Sequence, residues 1–117
     1  MSNAPAKKDF KIWVGNDTIL EFRLLQDSEV PLDLTGSEVA MFFKQGTTLH
    51  TLSTTTGHIT IDAPETGVFR VSIDRDFTRS IRSDYPIVQY EIERRIDDSQ
   101  TTILYGNIKL EGGANDD

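Results

Sequence analysis

Residues 68–81 read "VFRVSIDRDFTRSI", and within that run the hydrophobic period changes. Phe69, Val71 and Ile73 stand two apart with Arg70 and Ser72 between them, the alternation of a strand with one face in a core. Phe77 and Ile81 then stand four apart, Asp74 and Asp76 suit a helix N-terminus, and Pro86 stops the run. The stretch predicts a core strand followed by one short helix near residues 75–82.

The same period of two recurs on both sides of it. Toward the N-terminus, Phe10, Ile12 and Val14 alternate with Lys11 and Trp13 before the turn Gly15-Asn16-Asp17. Leu20, Phe22 and Leu24 alternate with Glu21 and Arg23, and Val39, Met41 and Phe43 alternate with Ala40, Phe42 and Lys44. Toward the C-terminus, Val88, Tyr90 and Ile92 alternate with Gln89, Glu91 and Glu93. The turn Asp97-Asp98-Ser99-Gln100 then leads into a closing strand, "TTILYGNIKLEGG". Gly106 inside that strand predicts a bulge or a place where another backbone comes close.

Two segments are weaker. Threonine-rich sequence around 49–53 and 58–62, split by Thr54-Thr55-Thr56-Gly57, reads as an edge hairpin, because threonine favours extended backbone and buries little. Pro31-Leu32-Asp33-Leu34-Thr35-Gly36 reads as a corner. Proline fixes φ there, Asp33 and Thr35 can bond nearby amides, Gly36 can take positive φ, and Leu32 and Leu34 would face inward together.

Seven or eight short strands, spaced roughly 8 to 12 residues apart, point to an all-β protein: an antiparallel immunoglobulin-like β-sandwich with one short helix. It lacks the cysteine pair of antibody domains, and a small closed barrel is the competing architecture. The expected organisation is a flexible N-terminal arm over 1–8, a single β-sandwich domain over 9–111 and a flexible acidic tail over 112–117. At 117 residues the chain suits one core.

Composition narrows the function. Nineteen acidic residues against 12 basic give a net charge of −7, which argues against a nucleic-acid partner, since phosphate contacts need a basic face. No apolar run is long enough to cross a bilayer and the start lacks a signal-peptide core, so no membrane partner is expected. With no cysteine there is no disulfide, thiolate metal site or cysteine nucleophile.

No motif carries catalysis. His50 and His58 lie in threonine-rich sequence where adjacent strands could bring them together, yet only Asp62 is near enough in sequence to add a ligand, and a zinc site needs more. Asp74 and Asp76 resemble the opening of a calcium loop, but Phe77-Thr78-Arg79-Ser80 lacks the oxygen ligands and glycine that should follow. There is no Gly-x-Ser-x-Gly elbow and no phosphate-cradling glycine loop. The expectation is a non-enzyme with no cofactor and no metal. Arg75, Arg79, Arg82, Arg94 and Arg95 are compensated by neighbouring acids and read as solvated surface. Trp13 and Phe42, large aromatics on otherwise polar strand faces, are either interface anchors or residues of a strand covered on both faces.

The order "GNDTILEFRLLQDSEVPLDLTGSEVAMFFK", "GHITIDAPETGVFRVSID", "DFTRSI", "YPIVQYEIER" and "TTILYGNIKLEGG" resembles small tailed-bacteriophage virion proteins. In particular it resembles the N-terminal immunoglobulin-like module of phage upper baseplate proteins. The resemblance spans Phe10 to Leu110. Its most telling parts are Asp17, Pro31 to Gly36, Thr66-Gly67 and Leu104-Tyr105-Gly106-Asn107-Ile108. It implies a structural protein made in the host cytoplasm and carried in the virion, docking onto tail, baseplate, neck or capsid proteins, in several copies as a homo-oligomer. Its alternatives are capsid decoration, head attachment, or a glycan-binding adhesion module anchored on Trp13 or Tyr85. Trp13, Phe42, His50 and His58 are the interface candidates.

Overall fold

A computed structural model describes residues 6–26, 30–81 and 87–112. The chain is mostly β. In order, the strands are β1 (Ala6–Lys7), β2 (Phe10–Val14), β3 (Thr18–Arg23), β4 (Glu38–Gln45), β5 (Thr48–Ser53), β6 (Ile59–Thr60), β7 (Val68–Ile73), β8 (Ile87–Ile96) and β9 (Ser99–Gly112). A 3₁₀ turn at Pro64–Thr66 precedes β7, and α1 (Arg75–Ile81) follows it.

The strands form two sheets. The larger runs β1-β9-β8-β4-β5, with β2 also on β9, and the smaller runs β3-β7-β6. Their inner faces share one core that includes Ile12, Met41, Phe43, Val88, Tyr90, Ile92 and Ile108 from the first sheet and Phe22, Ile59, Phe69, Val71 and Ile73 from the second. Phe10 meets Phe22 edge-on at 6.1 Å between ring centroids, tying one sheet to the other, and Phe22 stacks on Phe69 at 5.1 Å. Each such side chain removed from water contributes about 1.5–3 kcal/mol. The alternation supplies both layers: Phe69, Val71 and Ile73 are fully buried, while Arg70 and Ser72 between them are exposed.

The expected antiparallel layout holds at every seam except the two that the N-terminal strands make with β9. β1 and β2 run parallel to β9, with Ala6 opposite Leu104 and Phe10 opposite Ile108. The register is the same in both, so the pair acts as one strand that starts ahead of residue 9 and is interrupted at Lys8 and Asp9. Gly106 explains the interruption. A Cβ there would fall on the Lys8 carbonyl oxygen and 2.8 Å from Asp9 Oδ1, so of the two readings of this glycine, close backbone approach is the observed one. The register shift in the hairpin lies elsewhere, between Ile92 and Glu93.

The threonine-rich segment is not a hairpin. β5 pairs with β4 in the larger sheet, and β6 pairs with β7 in the smaller, so the chain crosses between layers at Thr54-Thr55-Thr56-Gly57. Gly57 has φ +85°, and Ser53 and Thr56 exchange side-chain to backbone hydrogen bonds of 2.9 and 3.1 Å that close the turn. Local sequence marks two extended pieces but carries no information on which sheet each joins.

The corner at 31–36 is as expected. Leu34 is buried and Leu32 half-buried, Gly36 has φ +74°, and the Asp33 carboxylate accepts from the Thr35 hydroxyl at 2.6 Å and the Thr35 amide at 2.9 Å. Those two bonds hold the Asp33 carboxyl below its ordinary pKa. From β8, Arg94 donates to the Asp33 carbonyl and to Ser37 Oγ, both at 2.9 Å, fastening the corner to the larger sheet.

α1 is capped from two sides. Asp74 Oδ1 accepts from the Phe77 amide at 2.7 Å, and Asp17 Oδ1 accepts from the Arg75 amide at 2.8 Å. Thr78 is fully buried; its Oγ1 accepts from the Gly15 amide and donates to the Arg75 carbonyl, both at 2.9 Å. The helix is thereby fixed to the turn that links β2 and β3. Arg82, Tyr85 and Pro86, like residues 1–5 of the expected arm and 113–117 of the expected tail, lie outside the described residues.

Candidate interaction surface

Because side chains alternate across a strand, the outer face of the larger sheet is set by the residues between the core positions. On β4 these include Phe42 and Lys44, on β5 Leu49 and Thr51, on β8 Gln89 and Glu91, and on β9 Tyr105 and Asn107. The registers align them in rows. Thr51 lies opposite Phe42, Phe42 opposite Glu91, Glu91 opposite Tyr105, and Tyr105 opposite Lys7 of β1. The next row is Leu49, Lys44, Gln89 and Asn107.

A shallow concavity of about 550 Å³ lies on these rows, with Phe42, Leu49 and Tyr105 as its apolar lining and Lys7, Lys44, Gln89, Glu91 and Asn107 as its polar one. Phe42 is half-buried, Leu49 is 60% exposed and Tyr105 39% exposed. Sequence singled out Phe42 alone, as an aromatic in the polar phase of its strand. Leu49 and Tyr105 join it only through the register, which no local pattern encodes.

Trp13 is on the outer face of the same sheet but on β2, opposite Glu111, and is 53% exposed. Its indole packs on Gly112, where an added Cβ would meet Nε1 at 2.6 Å and Cε2 at 2.7 Å. Of the two readings of Trp13, the covered strand is not what the fold presents: its strand is outermost and its ring is open to solvent. Phe42 is on an inner strand, yet its face of the sheet is uncovered among the described residues.

The histidines are not brought together. His50, on the inner face of β5, meets Phe77 of α1 edge-on at 5.8 Å, and His58, just before β6, shares a 2.8 Å hydrogen bond between Nδ1 and Thr56 Oγ1. Asp62 pairs with Arg70 rather than with either of them. Among the described residues no group of three or more His, Cys, Asp or Glu side chains converges on a metal-sized site. No helix among them is long and apolar enough to cross a membrane.

Below the concavity, the Tyr90 hydroxyl crosses beneath Gly106 and donates to the Lys8 carbonyl at 2.5 Å. Burial, and then the Asp9 carboxylate, push its pKa from 10.0 up to about 12. A phenol whose pKa is raised by folding contributes stability that is complete below its unfolded pKa and lost as pH rises through the folded one. The stability difference between wild type and Tyr90→Phe should therefore shrink between pH 10 and pH 12. Denaturant melts of both proteins across that range are the check, and a difference that stays constant refutes the coupling.

No protein-family model matches the chain, and no curated protein sequence matches it.

Proposed function

We propose that the chain is a non-enzymatic structural component of a tailed-bacteriophage virion, an immunoglobulin-like assembly domain of tail, baseplate or neck that works through contacts with other virion proteins. The observation that carries the reading is the open outer face of the larger sheet, where Phe42, Leu49 and Tyr105 line a concavity rimmed by charged and amide groups. An apolar centre with a polar rim is the anatomy of a protein interface. The immunoglobulin-like assignment is supported by the strand order and by the N-terminal strand lying parallel to the last one. The quoted resemblance supplies the virion.

The test is incorporation. A buried aromatic anchor is worth about 2 kcal/mol or more at an interface, which corresponds to about thirtyfold in affinity. Phe42→Ser and Trp13→Ser, singly and together, should keep the thermal melt of the free protein close to wild type and sharply reduce the copies found in particles. Full incorporation of a folded double variant refutes the assignment. Capsid decoration or head attachment would use the same face and is separated by where labelled protein sits on the particle.

One observation favours a glycan-binding module as a second reading. Phe42 and Tyr105 stand on either side of Glu91 in one row of the concavity, with Gln89 and Asn107 in the next, a combination of aromatic, carboxylate and amide groups suited to sugar rings. Saturable binding on a glycan array that Phe42→Ser abolishes would establish it; an array without signal would remove it.

A further inference from the structure

We infer that two copies of this chain associate edge to edge through β3, paired antiparallel about a twofold axis at Phe22. The inference deepens the assembly reading above, resting on it only in that the chain works in several copies.

The edge is open. β3 ends the smaller sheet, bonded on one side to β7 alone, with Leu24 donating to Gly67 at 2.8 Å. Backbone groups of alternate residues point to opposite sides of a strand. Leu20, Phe22 and Leu24 therefore face β7, while the amides and carbonyls of Ile19, Glu21 and Arg23 face outward. The strand extends past its end: Leu25 bridges Pro31, with Gln26 donating to Val30 and Leu32 donating to Leu24, which leaves the Leu25 groups on the open side too. Among the described residues nothing pairs with this row. Such an edge is a template for another strand unless charges, prolines or bulges block it.

Here the side chains favour one register. A twofold axis must pass through one residue of the strand, because opposed residues share a face. Centred on Glu21, the pair would oppose two carboxylates. Centred on Leu20, it would set Ile19 against a second copy's Glu21. Centred on Phe22, it places Glu21 opposite Arg23 twice and Ile19 opposite Leu25 twice. Ile19 and Leu25 are 69% and 50% exposed, among the most exposed large apolar residues described. On the inner face the same register sets Leu20 against Leu24, both half-buried in one copy. Arg23 stands opposite Val68 on β7 and has no acidic partner among the described residues, whereas Glu21 already meets Arg70 at 3.3 Å. The product would be one continuous six-stranded sheet, three strands from each copy.

Charge exchange tests the register. Sedimentation equilibrium of the full chain from about 1 µM to 1 mM should show a monomer–dimer equilibrium, in the span of ordinary weak to moderate affinities. Arg23→Glu and Glu21→Arg each oppose like charges twice and should raise the dissociation constant about tenfold or more. The double variant Glu21→Arg/Arg23→Glu restores both pairs and should return it toward wild type. Amides of Ile19, Glu21, Arg23 and Leu25 should exchange more slowly at high concentration than at low.

A wild-type protein that stays monomeric overturns the inference, as do single variants that associate normally or a double variant that stays weak. Incorporation by a monomeric protein would sink the edge and leave the virion reading standing. Charge-rescued dimers with no place in particles would do the reverse.

Discussion

Gly67→Ala is expected to lower stability by about 3 kcal/mol, from two penalties that act on the same atom. The first is conformational: Gly67 has φ +72°, a left-handed backbone that costs an L-residue about 1–2 kcal/mol. The second is steric. An added Cβ would sit 2.5 Å from the Leu24 carbonyl oxygen, 3.0 Å from that of Leu32 and 3.1 Å from the Leu32 amide nitrogen. These are backbone atoms held by their own hydrogen bonds: Gly67 accepts from Leu24, and Leu24 in turn accepts from Leu32. None can swing aside as a side chain would, and overpacking of this kind costs about 1–3 kcal/mol. At about 5 °C per kcal/mol for a domain of this size, the melting temperature should fall roughly 15 °C. Gly36→Ala is the control, because Gly36 shares the positive φ at +74° but has no atom within 4 Å of the added carbon. It should lose about 1 kcal/mol, the conformational part alone. Equal melts for the two variants would refute the steric account.

The contrast between these glycines shows where sequence reading stops. Both follow a threonine, and both take a left-handed backbone. What distinguishes them is the arrival of Leu24 and Leu32 beside Gly67, a tertiary fact with no local trace. The same division runs through the molecule. Core faces were legible at Phe22, Phe69 and Tyr90 because burial on one side of a strand imposes a period of two on neighbouring letters. The Asp74 cap was legible because it lies within three residues of the amide it serves. Which sheet β5 and β6 join was not, since threonine alternation is equally compatible with either.

The surface divides likewise. Phe42 violates the polar phase of its own strand and so could be singled out. Tyr105 stands in register beside Glu91 from the other hairpin arm, and Leu49 reaches the same concavity from β5. Long-range pairing assembled that face, so one of its three apolar members was visible beforehand. Arg94 is a further case. Its charge looked solvated beside Glu91 and Glu93, yet its guanidinium fastens the corner at Asp33 and Ser37.

Gly106→Ala should be the more damaging substitution, at about 4 kcal/mol, and damaging to the surface as well as the fold. Here the backbone has ordinary negative φ, so the whole effect is contact. The new carbon would fall on the Lys8 carbonyl and 2.8 Å from both Lys8 C and Asp9 Oδ1. Relief requires moving β1 and the start of β2 away from β9, which breaks three bonds at once. Tyr90 loses its acceptor at Lys8, Lys8 loses its donation to Tyr105 at 2.8 Å, and Asn107 loses its 2.9 Å donation to Asp9 Oδ1. Each such bond is worth about 1 kcal/mol net, and a buried phenol left unpaired costs more. The N-terminal edge should therefore detach before the core opens: amides of β2 lose hydrogen-exchange protection while those of β7 keep theirs. Lys7 leaves the rim of the concavity with it. If that face is the docking surface, Gly106→Ala should reduce incorporation at temperatures where the rest of the domain is still folded, whereas Gly67→Ala, which clashes with Leu24 rather than with the N-terminal strand, should keep β2 protected until it melts. Uniform loss of protection across both sheets would show instead that the N-terminal strand and the core open as one unit.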